Sequence, residues 1–245
     1  MSEGDPGPED TGSSGGGSFW TSLPTLLTAS AVFISAVVGA VVTLRSGGDD
    51  DGGGGGATTT QAAETTTTAQ TGLSEHFVEA TRPGGRNYFD GETMFVKVSS
   101  TRPVLVLAEG DQRLQDVRMT VHAERTSGAD DYGIGLICRY ASPGNYYLLA
   151  VLNGSDYHIV RYRDGRAVSL TQGIQPSDAI DGDTYDIDAR CVGSDPALLT
   201  LSVGGEEVAS IQDPDGIEEG NVGIRVGTSE SVVTCAFRDY TLRSL

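Results

Sequence analysis

Residues 73–245 punctuate themselves with tight-turn dipeptides at short intervals, and that spacing confines the segment to an all-β fold. Residues 146–152 (YYLLAVL) run into Asn153-Gly154, residues 157–163 (YHIVRYR) into Asp164-Gly165, and residues 198–203 (LLTLSV) into Gly204-Gly205. Each pair can supply the two successive positive φ angles of a two-residue hairpin turn. Return strands are therefore predicted at 166–170 and 206–211. Elsewhere apolar residues recur with period two, the mark of a strand with one buried face. In residues 132–140 (YGIGLICRY) this puts Tyr132, Ile134, Leu136, Cys138 and Tyr140 on the inner face and turns Arg139 outward. In residues 185–192 (YDIDARCV) it puts Tyr185, Ile187, Ala189 and Cys191 inward. Further strands are predicted at 94–98, 103–107, 116–123, 221–226 and 231–242. No stretch of 73–245 has the 3.6-residue period of an amphipathic helix. Many short strands at this spacing predict an antiparallel sandwich or barrel.

The preceding residues read differently. Residues 1–22 form an acidic, Gly/Ser/Pro-rich tail that ends in Phe19 and Trp20. Such a segment buries too little apolar area to offset its ordering entropy, so a disordered tail is expected. Residues 23–44 (LPTLLTASAVFISAVVGAVVTL) carry no charge. As a helix they would rise roughly 33 Å, enough for a hydrocarbon core of about 30 Å. A single transmembrane helix is the expectation, with Phe19 and Trp20 at the interface. A cleaved signal peptide would need basic residues ahead of its apolar stretch, and none precedes Arg45. Residues 45–72, with a run of Gly and many Thr, read as a linker, either a glycosylated stalk or a plain spacer. Arg45 favours a cytoplasmic C-terminal side. The stalk composition and the cysteines favour the opposite, a cell-membrane protein with its C-terminal domain outside.

The 245 residues carry 34 acidic and 16 basic side chains, a net charge of -18. Phosphate backbones are held by Lys and Arg, so this balance excludes nucleic acid as a partner. No catalytic or metal constellation emerges. Glu109-Gly110-Asp111 begins the Glu-x-Asp-x-x-Glu order of a retaining glycosidase, but Leu114 stands where the last acid is required. His76, His122 and His158 lack a nucleophile motif, and His and Cys never cluster at zinc spacing. The acid-rich stretch 181–188 (DGDTYDID) fails the calcium-loop order because Tyr185 replaces an acid, and it reads as a solvated acidic loop. Neither a metal nor a cofactor is implied.

Together, Gly135 to Tyr140, Asn145 to Tyr147, Tyr157 to Ile159, Ala189 to Gly193, Leu199 to Gly205, Gly220 to Ile224 and the closing Cys235 to Tyr240 resemble the concanavalin A-like lectin/glucanase (laminin G-like) domains. The resemblance spans residues 73–245. It implies a two-sheet antiparallel jelly-roll sandwich with one concave outer face, of a kind found outside bacterial single-pass membrane proteins. Some members bind carbohydrate and others are glycosidases. Members tend to carry a cysteine pair at the places of Cys138 and Cys191, so a Cys138–Cys191 disulfide is expected, leaving Cys235 as a buried thiol.

The function expected from these readings is a non-catalytic, membrane-anchored extracellular binding module. Its ligand would be a carbohydrate or other cell-envelope component, with Arg139, Tyr147, Tyr157 and Arg161 as candidate contacts. A module for a cell-surface protein partner is the alternative, and a glycosidase a more distant one.

Overall fold

A computed structural model of the chain describes residues 69–230 and 232–245. The tail at 1–22, the apolar segment at 23–44 and most of the linker lie outside the described residues. Among the described residues no helix is long and apolar enough to cross a membrane.

The described residues form two antiparallel sheets. The first contains β1 (Ala69–Thr71), β2 (Ala80–Arg82), β3 (Gly85–Asp90), β4 (Thr93–Val98), β6 (Val117–Gly128), β12 (Thr184–Val192), β13 (Ala197–Val203), β14 (Glu206–Asp213) and β16 (Val233–Ser244). Its order is β14-β13-β12-β6-β16-β4-β3-β2, with β1 paired to the end of β16. The second contains β5 (Val104–Leu107), β7 (Tyr132–Ser142), β8 (Asn145–Leu152), β9 (Asp156–Arg163), β10 (Arg166–Ser169), β11 (Gln175–Pro176) and β15 (Asn221–Thr228). Its order is β10-β9-β8-β7-β15-β5, with β11 on β9. The all-β, two-sheet antiparallel sandwich read from the sequence is present. The predicted turns are where the dipeptides put them: Asn153 and Gly154, Asp164 and Gly165, and Gly204 and Gly205 all adopt positive φ.

Both sheets donate one face to a shared core. Met94, Val96, Val117, Met119, Val121, Ile187, Leu199, Leu201 and Phe237 come from the nine-stranded sheet. Ile134, Leu136, Leu149, Val151, Ile159, Ile224 and Val226 come from the seven-stranded one. Burying each large side chain contributes about 1.5–3 kcal/mol. Cys138 of β7 and Cys191 of β12 are disulfide-bonded across the two sheets, with Cα atoms 6.7 Å apart. Cys235 is the buried free thiol, its ionisation pushed up by burial.

One strand departs from simple alternation. Against β15, β7 carries one extra residue between Ile137 and Tyr140, and Arg139 takes a left-handed φ of 53°. An inserted residue reverses the parity of everything after it. Arg139, predicted outward, therefore turns inward, and Tyr140, predicted inward, packs on the opposite face.

The disulfide closes a separation of 53 residues. Loop-closure entropy predicts that the Cys138→Ala/Cys191→Ala variant loses about 4 kcal/mol. Urea unfolding of the variant, compared with the unreduced parent, measures this.

Candidate functional site

The structure draws three of the four anticipated contact residues together, but into the interior. The Arg139 side chain is fully buried and donates to the carbonyl oxygens of Gln115 (2.9 Å), Ile217 (2.7 Å) and Gly193, from three different connections. The Tyr147 hydroxyl donates to Asp213 Oδ2 (2.7 Å) and accepts from the Ile217 amide (3.0 Å). Arg161 Nη1 donates to Asp213 Oδ1 at 2.6 Å. Asp213 is 2% exposed, and its carboxylate oxygens accept from Arg161, Tyr147 and the Asp215 amide. Burial, and next the neighbouring Asp213, push the Tyr147 phenol up to about 12. Tyr157 lies apart, at the other end of β9 opposite Val151 and against the shared core. Arg139, Tyr147 and Arg161 gather at one end of the sandwich, and Tyr157 does not join them. The alternation of β8 and β9 leaves facing open because both faces of these strands bury aromatic and aliphatic residues.

The second face of the seven-stranded sheet, turned away from the shared core, carries a different set. Tyr140, Tyr146 and Tyr162 form a ladder, with ring centroids 5.6 Å and 4.4 Å apart. Arg225 of β15 donates through Nη1 to the Tyr162 hydroxyl at 2.8 Å and lies 5.5 Å from that ring's centroid. Three strand spacings, about 14 Å, separate β15 from β9. The side chains can meet because the positions beside Arg225 on β7 and β8 are Gly135 and Ala150. Gly135 is small for a second reason: a Cβ there would collide with Leu148. His158 donates to or accepts from Ser169 Oγ at 2.9 Å on the same face, and burial lowers its pKa. Ile137, Leu148, Leu152 and Val160 complete a buried apolar cluster. The sequence signal for this face was present but unread. Gly133-x-Gly135 in β7 and Gly223-x-Arg225-x-Gly227 in β15 place small residues and one cation opposite the core-facing positions.

The outer face of the nine-stranded sheet is polar. Arg118 holds Asp188 through two nitrogens (2.5 and 2.9 Å), and Arg125 holds Asp183 likewise (2.8 Å each). Arg238 donates to His122 Nε2 at 2.7 Å, so His122 Nδ1 carries the proton offered to Asp186 at 2.6 Å. The acid-rich stretch 181–188 is thus a turn followed by a strand, and three of its carboxylates face separate basic partners. Among the described residues no group of His, Cys, Asp and Glu could hold a metal ion. The Glu109–Asp111 segment is an exposed loop.

Solved structures of similar fold share little sequence with this chain. A prokaryotic β-1,3-1,4-glucanase (lichenase) from a mouse hindgut metagenome superposes with a TM-score of 0.50 and 9% identity, over 73% of this chain and 98% of its own. An alginate lyase variant in complex with alginate tetrasaccharide gives 0.50 at 10% identity, over 72% and 97%. Carbohydrate-binding module CBM66 from Bacillus subtilis gives 0.49 at 16% identity, over 72% and 95%. No protein-family model matches the chain, and no curated protein matches it.

Asp213→Ala removes the buried acceptor of Arg161 and Tyr147, leaving Arg161 only its contacts with Asp215, and is expected to lower stability by about 2 kcal/mol. Tyr147→Phe removes one hydrogen bond and is expected to lower it by about 1 kcal/mol. Chemical denaturation of both variants tests this cluster. His76 and His158 are 3% and 2% exposed, and burial holds both below the usual 6.5. The unfolded chain therefore binds more protons once pH falls below about 6.5, and stability must fall with it. The urea midpoint is expected to drop between pH 7.5 and 5.5, and the His76→Gln/His158→Gln variant to lose that part of the slope.

Proposed function

We propose that residues 69–245 form a non-catalytic glycan-binding module displayed outside the cell by the apolar segment at 23–44. The observation that carries this reading is the second face of the seven-stranded sheet, where the buried Arg225, Tyr146 and Tyr162 and the half-buried Tyr140 lie together on one face. Tyrosine rings offer apolar area to the C–H faces of sugars, while their hydroxyls and the guanidinium supply hydrogen bonds. Such a mixture of apolar lining and few polar groups is what small-ligand sites present. The fold supports the same reading, since the alginate lyase that shares it holds an alginate tetrasaccharide. A binding role is favoured over hydrolysis by the inventory of this face. A retaining glycosidase needs two carboxyl groups about 5–5.5 Å apart. The strand positions described on this face bring Asp156 at its margin and no second acid.

The aliphatic share of the surface, Ile137, Leu148, Leu152 and Val160, also suits a protein partner, which is the alternative. The test compares the full chain with a 69–245 fragment. On a glycan array the fragment is expected to bind a discrete set of saccharides, and Tyr162→Ala to weaken that binding at least tenfold. An array blank for the fragment would remove the glycan reading and leave the protein-partner one. Protease shaving of intact cells is expected to release residues 69–245; full protection would refute display outside the cell.

A further inference from the structure

One end of the nine-stranded sheet carries positive charge that the domain leaves uncompensated. Residues 73–245 hold 26 acidic and 15 basic side chains. Against that excess, no carboxylate among the described residues is paired with Arg82, Arg86, Lys97 or Arg102. Arg86 and Lys97 are direct cross-strand partners on β3 and β4. With Arg82, Ser99 and Ser100 they line an open depression of about 460 Å³. The pairing register explains why the charge stays free. The row across the sheet reads Thr81, Arg86, Lys97, Thr234 and Ser127, with no acid at any of the five positions. The next row reads Tyr88, Phe95, Ala236 and Glu124, and its acid lies 3.8 Å from Arg238. On the other half of the sheet Arg118 and Arg125 are neutralised by Asp188 and Asp183.

Beside the cations lies an aromatic surface. Tyr88 and Phe95 stack with centroids 5.3 Å apart and planes 13° from parallel, and the Arg86 guanidinium is 4.9 Å from the Tyr88 centroid. That contact orients Arg86 without using up its hydrogen-bond donors. At physiological ionic strength charges are screened over about 8 Å, so an anion in the depression feels these cations more than the acidic remainder of the domain.

We propose that this depression binds an oxyanion, the carboxylate or sulfate of an acidic glycan, with the sugar ring against Tyr88 and Phe95. The ligand class rests on the glycan-binding reading, but the site is on the other sheet. The test is affinity electrophoresis of the full chain through gels containing polygalacturonate, dextran sulfate or uncharged dextran. Retardation is expected with at least one acidic polymer and not with dextran, and which polymer acts identifies the oxyanion. Arg86→Gln/Lys97→Gln is expected to weaken that retardation at least tenfold, and Tyr88→Ala severalfold, at unchanged unfolding midpoints. Lys97→Glu alone, a change to one half-exposed side chain, provides a second variant should the double variant unfold. Retardation that survives these substitutions, that dextran matches, or that neither acidic polymer produces would overturn the proposal. Loss of retardation on Tyr162→Ala alone would place the anion on the seven-stranded sheet, overturning this site while leaving glycan binding intact.

Discussion

The parity change in β7 is the constraint from which the rest of the sandwich is organised. A left-handed residue at 139 costs about 1–2 kcal/mol of backbone strain, since its Cβ crowds the following carbonyl. What it gains is a guanidinium inside the end of the sandwich, donating to carbonyls from the connections before β6, after β12 and after β14. Those carbonyls satisfy a fully buried cation, which would cost more than the strain if it were left without acceptors. The same step sends Tyr140 to the far face, where it opens the tyrosine ladder. A single inserted residue thus closes the interior at one end and populates the second face.

The fold was largely legible in the sequence because the turns that set it are chemically specific. Three hairpins were read from Asn-Gly, Asp-Gly and Gly-Gly pairs, and Cys138 and Cys191 from their place in a family pattern. β3 escaped notice for a physical reason. Its deeply buried position is Asn87, satisfied by donating to the Val78 carbonyl at 2.7 Å and accepting from Arg82, so no apolar alternation marks the strand. The site residues were harder. Arg139 was misplaced by a bulge that leaves no compositional trace. Tyr147, Tyr157 and Arg161 face inward on strands whose two faces are both hydrophobic, where period-two reading has no contrast to work on.

Charge is sorted by sheet as well as by sequence. The acid excess repels polyanions at the level of the whole chain, yet it is not uniform. The middle strands of the nine-stranded sheet spend their carboxylates on arginines across the ladder. The far edge keeps cations beside two aromatic rings, and the seven-stranded sheet confines Arg225 to an apolar and aromatic surface. Net charge says what the molecule repels at a distance, while these local arrangements decide what it can hold in contact.

The place of β16 in the order of strands has a consequence for biosynthesis. This strand lies between β4 and β6, and its Arg238 meets a residue 116 positions earlier, His122. During translation β4 and β6 therefore wait with an unpaired edge each while more than half the domain is still being made. Open edges of this kind recruit other strands, and nascent chains clustered on one messenger offer them. An acidic chain with few lysines keeps such neighbours apart by mutual repulsion until the last strand arrives to fill the gap.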